Sequence, residues 1–439
     1  MEKGRKWQGH AAPIADVDRG WAWVIAVTSF LSHFITLGFA YGIGTFYVEF
    51  LRAFGESKAK TAWITSLNYC LLCGLGPVAS FLCQKFGCRF TLALGGLVSS
   101  LGLFCSAFAG DVNVLLVTMG FITGVGFCLS HQPAVVVNAL YFVKYRTIIL
   151  GLTFSGAGFG TVVYPWICRI CIEAFGWRGA LIMCAGLNLH IVALAMFIPR
   201  YSPLEKSANL VKKQLESETL TQQTNRFTEH FHLFNNVYFV LLCFNNFFFQ
   251  FGMYIVYTHI AAYAHSLNFG DYIADMLISI VGISNLAGRA GFGIIGQQSC
   301  VDVPVLYCVA YYACGISIMG CGFWTSVVGL CTCAGLFGFL NGACGPLMCE
   351  VCCSVVGAKY FNQGYGFMMI FMAFGNLIGP PVAGLVYDLS KYYPASFYLG
   401  GICLFLSATV VIPSVVHIRR RKKEAKYDLA KDEEDVMIT

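Results

Sequence analysis

The sequence predicts an all-α membrane protein whose twelve transmembrane helices form two six-helix bundles. Only 11% of its 439 residues are charged and 57% are hydrophobic, whereas about 25% of the residues of a soluble domain are charged. Hydrophobic stretches long enough to cross a bilayer recur along the whole chain. The 47 glycines suit helices that approach each other closely in lipid.

Hydropathy over a window of about 19 residues separates the twelve spans. Their predicted extents are Trp21 to Tyr47, Ala62 to Cys83, Phe90 to Ala109, Val112 to Val137, Ile148 to Ile172, Ala180 to Pro199, Leu233 to Ala261, Ile273 to Gly296, Val303 to Phe323, Val327 to Val351, Tyr365 to Val386 and Phe397 to His417. Since no apolar core or cleavage site precedes Trp21, the first helix is the expected insertion signal.

One long polar segment divides the spans into two sets of six. Residues 200–232 are rich in Lys, Glu, Gln, Thr and Ser, so they predict a cytoplasmic linker between bundles at 21–199 and 233–417. Residues 1–20 form an N-terminal segment and 418–439 a tail. Lys and Arg are concentrated on the face that carries both termini, and a run of five basic residues follows the last span. Both termini are therefore expected in the cytoplasm.

The two sets of spans resemble each other weakly. FSGAGFGTVVYP, from Phe154 in the fifth span, is similar to FMAFGNLIGPP, from Phe371 in the eleventh. A six-plus-six duplication is typical of carriers whose two bundles rock around a site near the midplane. A carrier is therefore the leading functional class, and the lipid bilayer is its expected surrounding.

Arg289 lies near the middle of the apolar run MLISIVGISNLAGRAGFGIIG, from Met276 to Gly296. A guanidinium at that depth costs about 3 kcal/mol, so it is expected to face a polar interior. It is the first candidate for a substrate contact. The alternative is a cation that reaches the nearer interface or neutralises a neighbouring carboxylate.

Other functional classes fit the sequence less well. The 21 cysteines include three Cys-x-x-Cys pairs, but none has a partner pair at zinc spacing, and small residues at helix contacts explain them. No metal, cofactor or nucleic-acid partner is expected. No cluster of His and carboxylates predicts an enzyme, and a seven-helix receptor disagrees with twelve spans. A non-transporting sensor on a carrier fold stays open.

Three motifs together resemble the monocarboxylate transporter family (solute carrier family 16) of the major facilitator superfamily. They are DRGWAW from Asp18, YFVKYRTIILGLTFSGAGFG from Tyr141 and GPPVAG from Gly379, and the resemblance extends over all twelve spans. It implies the major facilitator fold and a plasma-membrane carrier of monocarboxylates. It also implies a possible single-span, immunoglobulin-like ancillary protein.

The motifs have plausible physical roles at the ends of helices. Asp18 is expected to cap the first helix, with Trp21 and Trp23 in an aromatic belt. Lys144 and Arg146 are expected at the cytoplasmic mouth, where they would hold a gate or attract an anion.

The resemblance makes Arg289 the residue that binds the substrate carboxylate. One turn earlier, Asn285 stands where the proton-coupled lactate carriers have an aspartate, and Tyr41 stands where they have a lysine. Neither side chain titrates near neutrality, so obligatory proton symport is doubtful. Facilitated diffusion, or coupling to a proton through another residue, is the expectation.

Glu350 in the tenth span is the alternative proton carrier. A gate ion pair between Glu350 and Arg289, or between Glu350 and a cation of the inner face, is the competing interpretation. Four histidines inside spans also titrate near physiological pH, although most such residues form hydrogen bonds across helices: His33, His131, His190 and His259.

Further polar residues bear on specificity. Asn341 aligns with a bulky position that restricts substrate size in the lactate carriers, so its amide predicts a wider cavity. Asn68 and Tyr69, with Asn245 and Asn246, are candidates for the same cavity; interhelical hydrogen bonds are the alternative. Such a site suits a carboxylate with a larger or more polar body than lactate. A zwitterion such as an amino acid or creatine is the second candidate.

Overall fold

The computed structural model describes residues 18–142, 145–199, 232–295, 298, 301–357 and 361–438. This part of the chain is helical and contains no β-strand. A wide π-type turn, Leu116–Ile122, interrupts the fourth span, and a short 3-10 turn, His232–Asn235, precedes the seventh. The α-helices are Trp21–Gly42, Gly44–Phe54, Lys58–Gly74, Gly76–Phe86, Cys88–Ser106, Val112–Leu115, Thr123–Tyr141, Arg146–Met196, Val237–Ser266, Asp271–Ile295, Val303–Phe323, Val327–Val356, Phe361–Ser390 and Tyr393–Ile438.

The helices account for the twelve predicted spans of the all-α membrane fold. Within the described residues, ten helices are long and apolar enough to cross a membrane, and an eleventh span consists of Lys58–Gly74 with Gly76–Cys83, bent by 45°. The long helix Arg146–Met196 contains Gly176, whose φ of 68° and ψ of 172° are not helical. Because the chain bends there, the residues before and after Gly176 form the fifth and sixth spans, which makes twelve.

The two segments that resemble each other in sequence occupy equivalent positions in the packing. The fifth span lies against the first, where a Cβ atom added to Gly156 would collide with the carbonyl oxygen of Phe30. The eleventh lies against the seventh, where a Cβ atom on Gly375 would collide with the carbonyl oxygen of Phe247. Glycine therefore permits the same close helix pair in each set of six.

The two sets of six spans meet mainly towards one end of the molecule. We call the end that carries Asp18 the inner end and the opposite end the outer end. Tyr254 Oη donates to Ala40 O at 2.8 Å, and Ser279 Oγ donates to Val162 O at 2.9 Å. These contacts, like all other hydrogen bonds described between the two sets, lie on the outer side of Arg289. The outer end is therefore closed.

Most predicted ends of the spans differ from the observed ones by a few residues, and the last helix differs most. The last helix was expected to end at His417 but continues to Ile438, so the described part of the tail is helical. The seventh begins at Val237, where the Asn236 side chain accepts a hydrogen bond from Tyr238 N. Residues 1–17 of the N-terminal segment and 200–231 of the linker lie outside the described residues.

Candidate functional site

Arg289 projects into the interior from the eighth span. Its Nε donates to Asn285 Oδ1 at 3.0 Å, one helical turn earlier. Among the described residues it makes no ion pair. Gly342 of the tenth span packs against the backbone here, since an added Cβ atom would lie 2.7 Å from Arg289 N. Close packing of the two helices fixes the backbone from which the guanidinium extends.

A cluster of tyrosines lies next to this guanidinium. Tyr41 Oη and Tyr69 Oη are 3.0 Å apart, and the rings of Tyr41 and Tyr257 have centroids 5.0 Å apart. Asn341 Nδ2 donates to Tyr257 Oη at 3.2 Å. The charge of Arg289 acts electrostatically on both Tyr41 and Tyr257. Five residues singled out in the sequence therefore meet here, and we call them, with Tyr257, the central site: Arg289, Asn285, Tyr41, Tyr69 and Asn341.

The central site faces the interior rather than lipid. Its tyrosines come from the first, second and seventh spans, so they belong to both sets of six. Arg289 and Tyr41 are each partly exposed.

Three asparagines that were candidates for the cavity make hydrogen bonds elsewhere. Asn68 is buried, and its Nδ2 donates to Met119 O of the fourth span at 2.8 Å. Asn245 Nδ2 donates to Ser407 Oγ at 2.8 Å, and Asn246 Nδ2 donates to Leu242 O within its own helix. The structure does not bring these side chains to the central site.

The gating candidates lie apart from the central site as far as they are described. Glu350 is exposed on the inner half of the tenth span, and no ion pair of Glu350 is described. Lys144 lies outside the described residues. Arg146 begins the fifth span, and its side chain lies outside the described part.

A second charged region, which sequence reasoning missed, lies near the outer end. Arg169 of the fifth span is 2% exposed, and its Nε is 2.6 Å from Oδ2 of the fully buried Asp275 in the eighth. Its Nη1 is 3.2 Å from a carboxylate oxygen of Glu49 and 3.2 Å from one of Asp271. We call these four residues the outer charge cluster. It links the two sets of six spans through a buried ion pair.

Neighbouring polar groups complete this cluster. Thr45 Oγ1 donates to Asp275 Oδ1 at 2.7 Å, and Arg52 Nη2 is 2.7 Å from Asp271 Oδ1. The hydrogen bond from Arg52 to Asp271 raises the pKa of the guanidinium above its ordinary value. The sequence contained a signal for this ion pair, because Arg169 and Asp275 both fall inside predicted spans and charges inside a membrane seldom lack a partner.

The first two sequence motifs contact each other at the inner end. The expectation that Asp18 caps the first helix is wrong, since no side chain caps the helix at Gly20. Instead Asp18 Oδ1 accepts a hydrogen bond from Tyr145 N at 3.3 Å, and Asp18 N donates to Tyr141 O. The Trp23 ring packs edge-on against Phe142 at 5.7 Å. Asp18 thus ties the entry of the first span to the turn between the fourth and fifth.

Comparison with known proteins agrees with this architecture. The family model of the Major Facilitator Superfamily matches residues 29–301. Mouse monocarboxylate transporter 6 is 31% identical, and the alignment covers 95% of this chain and 91% of that protein. The chain belongs to the monocarboxylate transporter family of the major facilitator superfamily. Members of this family are carriers rather than enzymes, and they are multi-pass membrane proteins.

Other monocarboxylate transporters are similar over nearly their whole length. Monocarboxylate transporter 12 of Xenopus laevis is 28% identical over 93% of this chain and 92% of its own, and human monocarboxylate transporter 14 is 26% identical over 97% and 98%. A solved peptide transporter in complex with sulfate superposes with a TM-score of 0.71 at 13% identity, over 93% of this chain and 98% of its own. That likeness supports the major facilitator fold. The chain is thus a secondary carrier.

Proposed function

We propose that this monocarboxylate transporter carries a small organic anion, a monocarboxylate or a related solute, across the plasma membrane. The supporting observation is Arg289, a cation inside the helical bundle with no described carboxylate partner. It lies beside hydroxyl and amide groups contributed by both sets of six spans. An unpaired buried charge is costly, and a substrate carboxylate would remove that cost.

The geometry at Arg289 suits a carboxylate. Nε donates to Asn285 Oδ1, and the two terminal nitrogens of the guanidinium have no described partner. A planar fork of N–H groups accepts both oxygens of a carboxylate through parallel hydrogen bonds. The low dielectric of the interior strengthens such a pair.

The other walls of the central site suit a body larger or more polar than that of lactate. The Tyr41 and Tyr257 rings offer apolar faces that a flat substrate can contact. Asn341 offers an amide where the lactate carriers have a bulky side chain, and an amide both donates and accepts hydrogen bonds.

Transport proceeds by alternating access, in which the two sets of six spans rock around the central site. The outer charge cluster holds the outer end closed in the present conformation. Glu350, Lys144 and Arg146 remain candidates for the inner gate. We place both termini in the cytoplasm on the distribution of Lys and Arg, and an immunoglobulin-like single-span protein is a candidate partner for surface delivery.

Uptake into oocytes tests this proposal. Labelled pyruvate and phenylpyruvate serve as a small and a large monocarboxylate, with Arg289→Ala as the test variant. Arg419→Ala is the matched control, because Arg419 lies in the helix that continues the last span but already has a carboxylate partner, Asp302, at 2.8 Å. We expect uptake by the wild type and by Arg419→Ala, and loss of uptake in Arg289→Ala at equal surface expression. Unchanged uptake in Arg289→Ala would remove Arg289 from the site.

A zwitterionic solute is the second candidate. The ring faces of Tyr41 and Tyr257 bind cations as well as apolar groups, so an ammonium or guanidinium group on the substrate can lie against them while Arg289 holds its carboxylate. Labelled creatine and an aromatic amino acid in the same oocytes separate the two cases. Uptake of these solutes without uptake of either monocarboxylate would favour the zwitterion.

A further inference from the structure

His33 in the first span has one ring nitrogen without a partner in the described part of the chain. Its Nδ1 lies 3.0 Å from Ser29 O, and because a carbonyl oxygen only accepts hydrogen bonds, Nδ1 carries the proton of the neutral ring. Nε2 therefore has a lone pair. This atom is buried and makes no hydrogen bond to any described residue, so a basic nitrogen is available inside the bundle.

Two other histidines show that this arrangement is specific to His33. His259, equally buried, uses both nitrogens: Nε2 lies 2.9 Å from Pro380 O, and Nδ1 lies 3.3 Å from Tyr47 Oη. His190 makes the same bond within its helix as His33, from Nδ1 to Gly186 O at 3.0 Å, but it is exposed on the sixth span. His33 alone of these three combines burial with an unpartnered nitrogen.

A second imidazole packs against His33. The ring centroids of His33 and His131, in the fourth span, are 4.7 Å apart. The Phe154 ring of the fifth span contacts both, at 5.3 Å and 6.0 Å. Two imidazoles in contact titrate as a pair, so the first proton that they take up belongs to the pair rather than to one ring.

Among the described residues, one charged group acts on this histidine pair. Arg289 of the eighth span acts electrostatically on His33. The fifth span, which packs along the first, has no charged residue between Arg146 and Arg169. The second and seventh spans present tyrosines beside the first span at the level of Tyr41. A proton on the pair and the charge of Arg289 therefore repel each other, and no described carboxylate compensates them.

We propose that the His33–His131 pair takes up the proton that accompanies a carboxylate bound at Arg289. The inference rests on the proposed carboxylate site. The proton comes from water at the open end of the carrier, forms an N–H bond at His33 Nε2 or on His131, and returns to water when the substrate leaves.

The balance of charge explains why the two ligands move together. The empty site carries one positive charge, on Arg289. A carboxylate alone reduces it to zero, and a carboxylate with a proton restores it to one, so the empty and fully loaded carriers have equal charge. Binding of the anion also removes the repulsion that opposes the proton. Coupling thus needs neither an acid at position 285 nor a base at position 41.

Titration calorimetry on the purified full-length carrier tests the proposal. Phenylpyruvate is titrated at pH 6.5 and 7.5 in buffers with different ionisation enthalpies, which yields the number of protons taken up on binding. The variants are His33→Asn, which keeps a donor for Ser29 O, His33→Gln, which keeps an amide near the Nε2 position, and His131→Asn. None of these amides titrates. His190→Asn is the matched control.

We expect net proton uptake by the wild type and by His190→Asn, and its loss in all three pair variants, with phenylpyruvate still bound. In oocytes, the ratio of phenylpyruvate uptake at pH 6 to uptake at pH 8 should be several-fold for the wild type and about one for those three variants. Binding with normal proton uptake in His33→Asn and His131→Asn would overturn this inference alone. Absence of phenylpyruvate binding by the wild type, together with absence of monocarboxylate uptake in oocytes, would overturn the proposed function and this inference with it.

Discussion

Two arginines inside the helical bundle have opposite surroundings. Arg169 is 2% exposed and lies within 3.2 Å of carboxylate oxygens from Glu49, Asp271 and Asp275. Arg289 is partly exposed, and its described partner is the neutral Asn285. The protein therefore neutralises one guanidinium itself and gives the other no described carboxylate partner, and it is at this second arginine that we propose the substrate binds. A buried arginine can close a gate or hold a substrate, and its partners distinguish the two roles.

Breaking the outer ion pair should have the largest effect on stability. Arg169→Gln leaves the buried carboxylate of Asp275 without a cationic partner, and we expect a loss of about 3 to 5 kcal/mol in the free energy of unfolding. Thermal denaturation in detergent measures it. Arg178→Gln, which removes a hydrogen bond to Ala109 O but no described carboxylate contact, should cost much less.

The double variant Arg169→Gln/Asp275→Asn sharpens this prediction. Because the second change removes the carboxylate that the first leaves unpaired, the double variant should lose less stability than the two single variants summed. A strictly additive loss would show that the two side chains contribute no interaction energy to stability.

The corresponding change at the central site should separate stability from transport. Arg289→Gln removes a cation that has no described carboxylate partner, so the free energy of unfolding should change by less than about 1 kcal/mol. Affinity for a transported monocarboxylate should fall about 100-fold, since the lost pair is worth about 3 kcal/mol. Equal losses of stability in Arg169→Gln and Arg289→Gln would erase the distinction between the two sites.

Asn285→Asp should make the central arginine resemble the outer one. Because the neighbouring guanidinium lowers the pKa of an aspartate below its ordinary value of about 3.9, the new carboxylate is charged at neutral pH, pairs with Arg289 and competes with the substrate. Uptake should therefore fall about 10-fold at both pH 5.5 and pH 7.5. Asn285→Leu, which adds no charge, should lose much less uptake at either pH.

Tyr41→Phe should have the smallest effect. It removes the 3.0 Å hydrogen bond to Tyr69 and keeps the ring, so we expect a loss of about 1 kcal/mol and a modest change in uptake. Phenylpyruvate uptake and thermal denaturation provide the measurements. A complete loss of transport would instead assign the Tyr41 hydroxyl a direct part in binding.

The membrane spans were predictable because hydropathy is a local property of sequence. The positions of Asn68 and Asn341 were not, since both lie in apolar helices and only the packing decides that Asn68 faces Met119 while Asn341 faces Tyr257. Arg169 and Asp275 lie 106 positions apart in the sequence. Each charge could be seen inside a predicted span, but the sequence did not show that the two residues pair. Asp18 was predicted as a cap from its place before a helix, but a distant loop supplied the stronger set of contacts.

The outer end of the second span depends on the opposite half of the molecule. Lys60 N has its acceptor nearby in Ser57 Oγ, but Lys58 N and Ala59 N donate to the carboxylate of Asp388 in the eleventh span, at 3.2 and 3.0 Å. Any separation of the outer ends returns these two amides to water. Their rate of hydrogen–deuterium exchange would then report how often the closed end opens, so the first turn of a membrane helix serves as a built-in indicator of which side of the carrier is open.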